Sequence, residues 1–191
     1  MSVEWIVAPS SLDRWNQERS GCIIPMELIA VAAVSENNVI GKDGELPWPS
    51  VPADKRQYRE RVRNSPVVLG RRTFESMRDE LPGARQLVLS RSRDAYPEST
   101  VTVLGSVEAV LAEVESEPTQ VYVLGGGGIY EALFPHLDRL LISRIPRTVE
   151  GDTMFPEIDP AEWDRQRASP RDGFVLEEWV RRFPAHAHDG P

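Results

Sequence analysis

The sequence has little of the chemistry that builds disulfides or metal sites. Cys22 is the single cysteine among 191 residues, and only three histidines accompany it. One cysteine cannot form an intrachain disulfide, and so few cysteine and histidine ligands make a zinc centre a poor hypothesis. We therefore expect neither a structural disulfide nor a bound metal.

Long apolar runs are missing as well. No segment approaches the roughly 20 apolar residues that a membrane-spanning helix needs. Residues 1–25 contain no basic stretch followed by an apolar one, which is the pattern of a secretory signal. The sequence predicts no membrane association and a cytoplasmic location.

Positive charge is scarce, and lysine especially so. The net charge of −8 argues against a nucleic-acid partner, because binding phosphates requires a concentrated cationic surface. We therefore expect a small-molecule partner and a monomer. Only Lys42 and Lys55 are lysines among 22 cationic residues, against 30 acidic residues. This composition indicates a high-salt or GC-rich source, such as a halophilic archaeon.

The chain divides into three parts by its hydrophobic pattern. Residues 1–25 show no sustained period, so they are either a poorly ordered extension or the product of a start codon placed upstream of Met26. From Met26 the pattern becomes that of a folded domain, which we expect to span residues 26–183. Residues 184–191 are predicted to form a disordered tail.

Short apolar runs alternate with helical patterns through this domain. The run Leu28 to Val34 is apolar throughout and predicts a strand buried on both faces. Such alternation favours an α/β fold with a mostly parallel central sheet, helices on both faces and an antiparallel C-terminal strand. Further strands are predicted at 66–69, 86–89, 101–104, 120–124, 138–145 and 174–182, and helices at 52–63, 73–80, 106–115 and 128–134.

An acid interrupts the apolar face of the predicted helix 52–63. Val51, Asp54, Tyr58 and Val62 recur at spacings of three and four, so they share one side of the helix. Asp54 therefore occupies a position that normally holds an apolar residue. Two interpretations are open: a functional carboxylate, or an acid that caps the first turn and complements the helix dipole.

The segment before this helix combines flexible and stiff residues. Gly41 and Gly44 permit unusual dihedral angles, whereas Pro47 and Pro49 hold Trp48 in an extended segment. This pattern suits a lid beside Asp54. The alternative interpretation is an ordinary surface loop whose tryptophan is directed into the core.

Three predicted strands end in turns that could hold phosphates. Gly70 leads into Arg71, Arg72 and Thr73, where two guanidinium groups at a helix start could bind a ribose 2′-phosphate and select NADPH over NADH. Ser90 and Arg91 follow the next strand. The glycine run 125–128 would let a pyrophosphate approach the backbone. Solvated arginines and a tight turn without a ligand are the alternatives.

Eight short motifs, taken in order, resemble dihydrofolate reductase. The resemblance spans Met26 to about Arg182. The motifs are Asn38-Val39-Ile40-Gly41, Leu46-Pro47-Trp48, Pro52-Ala53-Asp54, Gly70-Arg71-Arg72-Thr73, Leu81-Pro82-Gly83, Leu89-Ser90-Arg91, Gly125-Gly126-Gly127 and Glu150-Gly151-Asp152-Thr153.

The resemblance implies hydride transfer from NADPH to C6 of dihydrofolate and delivery of a proton to N5. It assigns Asp54 to the catalytic site together with Trp48 and Leu46. One carboxylate can accept hydrogen bonds from the pterin 2-amino group and N3 while polarising the ring. The substrate-binding residues that it implies are Val31, Ala32, Asp54, Tyr58, Leu124 and Ser143, with Arg59 as a further candidate.

The same resemblance implies the cofactor site. It places Ala33, Ile40 and Gly41 beside the nicotinamide, and it implies a cis peptide between Gly125 and Gly126. The residues around the phosphates are Gly70, Arg71, Arg72, Thr73, Ser90, Arg91, Gly126, Gly127, Gly128, Ile129 and Tyr130.

One position departs from the family pattern. Family members usually have arginine directly after Pro-Gly to hold the glutamate tail of the folate, whereas this chain has Ala84 followed by Arg85. A shift of one residue along a strand turns Arg85 to the opposite face. The sequence therefore predicts a weakened tail contact, with Arg59 as a stand-in.

Two alternatives belong to other functional classes. A pyrimidine reductase of riboflavin synthesis shares the fold, but its phosphorylated substrate would need cations where Asp54 stands. A non-enzymatic NADPH-binding module would keep the glycine and arginine turns without any use for that acid.

Overall fold

The computed structural model describes residues 26–92, 96, 100–115, 117 and 120–182. The predicted N-terminal extension and the predicted tail lie outside these residues. Within the described part of the chain, no helix is both long and apolar enough to cross a membrane.

An eight-stranded sheet forms the centre of the molecule. Its strand order is β5-β4-β3-β6-β1-β7-β10-β9, and the six strands from β5 to β7 run parallel. The parallel strands are β1 (Leu28–Ser35), β3 (Pro66–Gly70), β4 (Arg85–Leu89), β5 (Val101–Leu104), β6 (Val121–Gly125) and β7 (Arg139–Ile145). A separate two-stranded sheet pairs β2 (Val39–Gly41) with β8 (Thr153–Met154).

The central strand β1 is apolar on both sides because both of its faces are covered. Ala30 and Val34 belong to one buried cluster, whereas Ile29 and Val31 belong to the cluster on the opposite face. Successive side chains of a strand point to opposite faces, so an uninterrupted apolar run is what a doubly covered strand requires. The prediction for this strand is confirmed.

Helices cover both faces of the sheet. α1 (Pro52–Val62) and α2 (Arg71–Ser76) contribute Val62 and Phe74 to one cluster. α3 (Val107–Glu115) and α4 (Gly127–Leu133) pack Val110 and Leu133 into the other cluster. The predicted fold class is confirmed.

Three strands were not predicted from the sequence, namely β2 and β8 of the small sheet and a further strand, β9, near the C-terminus. β9 (Trp163–Arg171) and β10 (Phe174–Arg181) form an antiparallel hairpin, and β10 also pairs antiparallel with β7. β9 was missed because it is the edge of the sheet and most of its side chains are exposed, so its sequence is polar rather than alternating.

The helix predicted at 73–80 is wrong at both ends. α2 begins at Arg71, directly after β3, and ends at Ser76, whose hydroxyl donates to the Thr73 carbonyl (2.8 Å). A hydroxyl bonded in this way competes with helical hydrogen bonding, and Pro82 disfavours helix at the residue before it. A single 3₁₀ turn, Arg78–Glu80, fills the gap.

Candidate active site

A cleft opens along the carboxyl ends of β4, β3, β6 and β1. Ser90, Gly70 and Gly126 stand at the ends of three of these strands and line it, and Val31 lines it from the middle of the sheet. Ligands of open parallel sheets bind at this edge because the loops that follow the strands converge there. The cleft is lined by every residue that the sequence nominated except Ser143, which lies behind Asp54.

Asp54 is fixed by hydrogen bonds across the cleft wall. The Ser143 hydroxyl on β7 donates to Asp54 Oδ1 at 2.5 Å. Ser143 is buried, at 1% exposure, whereas Asp54 is half-buried and lines the cleft, so the contact is partly buried. The N-cap of α1 is Val51, and the described residues supply no side-chain hydrogen bond that caps this helix. Asp54 lies in the first turn of α1, so it complements the helix dipole as the alternative interpretation expects, but within the described part of the chain its side-chain hydrogen bonds go to Ser143 and Gln57 and not to the helix backbone.

Gln57 is a site residue that the sequence did not single out. Its side-chain nitrogen Nε2 donates to Asp54 Oδ1 (3.3 Å) and to Ser143 Oγ (3.4 Å). The three-residue spacing from Asp54 on one helix places the two side chains together. That spacing was the available signal. Ser143 and Gln57 thus both donate to Asp54 Oδ1, and among the described residues no side chain donates to Oδ2.

Apolar and aromatic groups enclose Asp54. Tyr58 lies one turn further along α1, and Ala32 of β1 and Leu124 of β6 line the same part of the cleft. Tyr130 is buried, and its hydroxyl donates to the Val31 carbonyl at 2.6 Å. Burial raises the pKa of the Tyr130 hydroxyl, so it stays a neutral donor that anchors α4 to β1.

Leu46 and Trp48 of the Leu-Pro-Trp motif lie in different environments. Trp48 is buried in a cluster with Ile145, Phe174 and Leu176, so it anchors the loop to the end of the sheet. Leu46 is 56% exposed and stands at the edge of the cleft. Trp48 is therefore directed into the core, and Leu46 of the same loop lines the cleft. The movement of this loop as a lid stays a prediction.

The loop that carries Leu46 is held by a tight turn. Lys42 and Glu45 exchange backbone hydrogen bonds, and the two residues between them, Asp43 and Gly44, have positive φ angles of 55° and 87°. An Asp-Gly pair favours this turn because glycine adopts positive φ without strain. The Asp43-Gly44 dipeptide is a sequence signal for this turn.

Asp152 ties this turn to the loop before β8. Its Oδ2 accepts a hydrogen bond from the backbone N–H of Asp43 (2.8 Å), and its Oδ1 accepts one from the Thr153 hydroxyl (2.7 Å). The Asp43 N–H, followed by the Thr153 hydroxyl, lowers the pKa of the Asp152 carboxyl. At pH values above 3.8, the ordinary pKa of an aspartate, the ionised carboxylate contributes fully to the stability of the loop. This contribution is lost as the pH falls through the lowered pKa.

We expect Asp152→Ala to loosen the loop over residues 42–46. Loss of one hydrogen bond to a carboxylate should speed amide hydrogen exchange at Asp43 by roughly threefold to tenfold at neutral pH. Hydrogen exchange followed by mass spectrometry measures this. Asp172→Ala removes an exposed aspartate from the β9–β10 turn and is the matched control. Equal exchange in the two variants would contradict the assignment.

The glycine run forms the floor of the cleft beyond Tyr130. β6 ends at Gly125, which has a φ of 94°, and the peptide between Gly125 and Gly126 is cis, as the resemblance implied. Gly126 is the N-cap of α4, and within the described chain no side chain caps it. The first N–H groups of α4 are therefore available to a ligand anion in the cleft.

Arginine and serine side chains surround the other end of the cleft. Arg71 is held by Glu75, four residues on, with an Nη1 to Oε1 distance of 3.0 Å. Arg72 and Arg91 are exposed, and no described carboxylate lies within ion-pair distance of either. Ser90 and Thr73 add hydroxyl groups to this end. The donors suit a phosphate, and among the described residues Arg72 and Arg91, unlike Arg71, have no carboxylate partner.

Arg85 does not reach the cleft. Its guanidinium pairs with Glu113 and, at 3.0 Å, with Glu117, on the side of the sheet edge where α3 lies. Its two neighbours cannot replace its charge, because Ala84 is an exposed alanine and Gln86 is a buried neutral residue. Two cations instead line the cleft beside Tyr58, namely Lys55 and Arg59 of α1.

The parallel sheet and the glycine turn after β6 are typical of the class of α/β proteins that bind a nucleotide cofactor at the carboxyl ends of their strands, and Asp54 adds a carboxylate to that cleft. Residues 27–173 match the family model of dihydrofolate reductase. Dihydrofolate reductase 1 of Haloarcula marismortui is 38% identical over 180 residues, which cover 85% of this chain and 96% of that protein. The chain belongs to the dihydrofolate reductase family.

Two further relatives support the same membership. Dihydrofolate reductase HdrB of Haloferax volcanii is 35% identical and covers 86% of this chain and 89% of its own length. The solved structure of Enterococcus faecalis dihydrofolate reductase, complexed with NADP(H) and RAB-propyl, is 34% identical with a TM-score of 0.74. It covers 82% of this chain and 97% of its own. The resemblance stated from the sequence is confirmed.

Proposed function

We propose that this chain catalyses the NADPH-dependent reduction of dihydrofolate to tetrahydrofolate. The observation that carries the proposal is the carboxylate of Asp54, held at Oδ1 by Ser143 and Gln57 inside the cleft that also contains the glycine turn. Its relatives carry the name of this activity, and one of them was solved with NADP(H).

The residues of the cleft fit a dinucleotide phosphate cofactor. The uncapped start of α4 suits a pyrophosphate, and Arg72, Arg91 and Ser90 suit a further phosphate. When bound, NADPH supplies the hydride that is added to C6 of the pterin. Ala33, Ile40 and Gly41 line the part of the cleft between these donors and Asp54, where the nicotinamide would lie.

Asp54 orients the pterin and polarises it. With Oδ1 occupied by Ser143 and Gln57, Oδ2 is the oxygen available to accept hydrogen bonds from the 2-amino group and N3 of the ring. These bonds fix one orientation of the substrate and increase the basicity of N5, which then takes a proton from water. Tyr58, Leu124 and Val31 enclose the ring and limit the entry of further water.

The activity is tested by following NADPH absorbance with dihydrofolate as substrate. We expect consumption of NADPH that depends on dihydrofolate, with tetrahydrofolate identified by mass spectrometry. A phosphorylated pyrimidine of riboflavin synthesis is the comparison substrate, and NADPH binding without turnover would indicate a binding module. If dihydrofolate is not reduced, the proposal is wrong.

The cytoplasmic location and the monomeric state stay predictions, and size-exclusion chromatography tests the latter.

Arg72→Gln should weaken NADPH but not NADH. Because Arg72 has no anionic partner among the described residues, we propose that its charge is used by the 2′-phosphate, which NADH lacks. We expect KM for NADPH to rise by about tenfold and KM for NADH to change little. Arg56→Gln removes an exposed arginine from α1, outside the cleft, and is the control. An equal rise for both cofactors would show that Arg72 does not read the phosphate.

A further inference from the structure

The cleft has a charged mouth that the proposed chemistry does not use. Lys55 and Arg59 stand four residues apart on α1, so they lie on one side of the helix, beside the ridge formed by Asp54 and Tyr58. Both cations line the cleft, and so does Glu80, which ends the 3₁₀ turn after α2.

A single carboxylate pairs with both cations, so the three side chains together keep one positive charge. Glu80 Oε2 lies 2.7 Å from Arg59 Nη2 and 3.4 Å from Lys55 Nζ. The Glu80 side chain is 62% exposed, so it reaches these partners from the solvent side of the mouth. Glu80 is therefore the anion that Lys55 and Arg59 share at the mouth of the cleft.

This arrangement leaves Arg59 incompletely satisfied. Arg59 Nη2 also donates to the Glu80 carbonyl (3.3 Å), but Arg59 Nε is buried and has no hydrogen-bond partner among the described residues. An exposed ion pair between long side chains is weak, so a ligand can displace one member of it. The ion pairs hold Glu80 at the mouth of the cleft, but they are weak enough for the carboxylate of a ligand to replace it.

Glu80 is an anion around neutral pH. Its hydrogen bond with Lys55, followed by the charge of Arg59, lowers the pKa of the Glu80 carboxyl. Its competition with an incoming carboxylate is therefore constant around neutral pH. Arg85 offers no alternative cation, because Glu113 and Glu117 hold it outside the cleft.

We propose that Lys55 and Arg59 receive the glutamate carboxylates of the substrate and that Glu80 is a built-in competitor which those carboxylates must displace. This inference rests on the proposed function, since dihydrofolate is the ligand that brings the carboxylates. Glu80 is thus a specificity-determining residue that weakens binding of glutamate-bearing pterins without touching the pterin site.

The test compares two substrates that differ only in the charge of the tail. One is dihydrofolate, and the other is its diamide, in which both glutamate carboxylates are carboxamides. KM is measured for each with the parent, Glu80→Gln and Glu60→Gln, which removes an exposed acid from α1 outside the cleft. Quenching of tryptophan fluorescence gives Kd for both ligands in parallel, so the comparison does not depend on turnover.

We expect Glu80→Gln to lower KM and Kd for dihydrofolate by about threefold to tenfold and to leave the diamide unchanged. The gain should shrink at high salt, because the contacts are exposed. Glu60→Gln should change neither ligand. In a second variant, Arg59→Gln, dihydrofolate should bind several-fold more weakly and the diamide as before.

Two results would overturn the inference while leaving the reductase activity in place. One is an unchanged affinity for dihydrofolate in Glu80→Gln. The other is an equal change for dihydrofolate and the diamide in either variant, which would indicate a structural role of the pair. Failure of the parent to reduce either substrate would instead remove the proposed function.

Discussion

Asp54→Asn will lower kcat for dihydrofolate by about a hundredfold or more at neutral pH. General acid–base assistance by a positioned side chain contributes roughly 10²–10⁴ in rate, and each tenfold loss is about 1.4 kcal/mol of transition-state stabilisation. An asparagine has no negative charge with which to polarise the pterin. The measurement is the steady-state rate of NADPH oxidation at saturating dihydrofolate across a pH series.

The substitution is isosteric, so its effect on folding is small. The carbonyl oxygen of asparagine can still accept from Ser143 and from Gln57, which preserves the contacts at Oδ1. Unchanged melting temperature and unchanged NADPH affinity are the controls. A variant that kept the parental rate with the parental pH profile would exclude Asp54 from the chemistry.

The central strands could be predicted because burial dictates their composition. β1 has apolar residues at every position from Leu28 to Val34, and a run of this kind is compatible only with cover on both faces. β9 gives no such signal. Its residues from Arg165 to Ala168 are exposed at the sheet edge, so neither apolar alternation nor β-branched residues mark it.

The position of Asp54 was predictable, but its partners were not. An acid on an apolar helical face is an anomaly that the spacing alone exposes. Ser143 lies 89 residues further along the chain, and only the pairing of β7 with β1 brings it near the cleft. The resemblance supplied Ser143. The three-residue spacing of Gln57 from Asp54 is compatible with a contact, but a polar residue on a surface helix is ordinary, so the spacing alone does not single Gln57 out.

The ion pairs at the mouth of the cleft depend on tertiary contacts. Whether Arg59 is free or neutralised is decided by the 3₁₀ turn Arg78–Glu80, which the sequence pattern merged into a longer helix. The same holds for Arg85, whose partners Glu113 and Glu117 come from α3 and from just beyond its end. Charge patterns in a sequence give the number of cations but not which of them are already paired.

Gly125→Ala will destabilise the protein more than other small substitutions around the cleft. The φ angle of Gly125 is 94°, a region that residues with a Cβ rarely adopt. A Cβ built there would lie 2.6 Å from Tyr130 Cε2 and 2.8 Å from Tyr130 Cζ. Both the backbone and the neighbouring ring therefore oppose the added methyl group.

Tyr130 cannot move aside cheaply. Its hydroxyl donates to the Val31 carbonyl, its ring packs at a tilt of 59° against Phe155 with the centroids 4.9 Å apart, and it is 4% exposed. Moving the ring would break a buried hydrogen bond and disturb packing on one face of the sheet. We therefore expect a loss of about 3 kcal/mol or more in the free energy of unfolding, as for overpacked and strained sites.

The measurement is thermal unfolding without cofactor, where this loss corresponds to a fall of roughly 6–12 °C in Tm for a chain of this size. Gly105→Ala is the matched control, because a Cβ at Gly105 would meet no atom within 4 Å and its φ lies outside the strained region. That variant should unfold close to the parental Tm. If the two alanine variants unfolded at the same temperature, the Tyr130 ring and the turn after β6 would have to be far more compliant than their buried contacts imply.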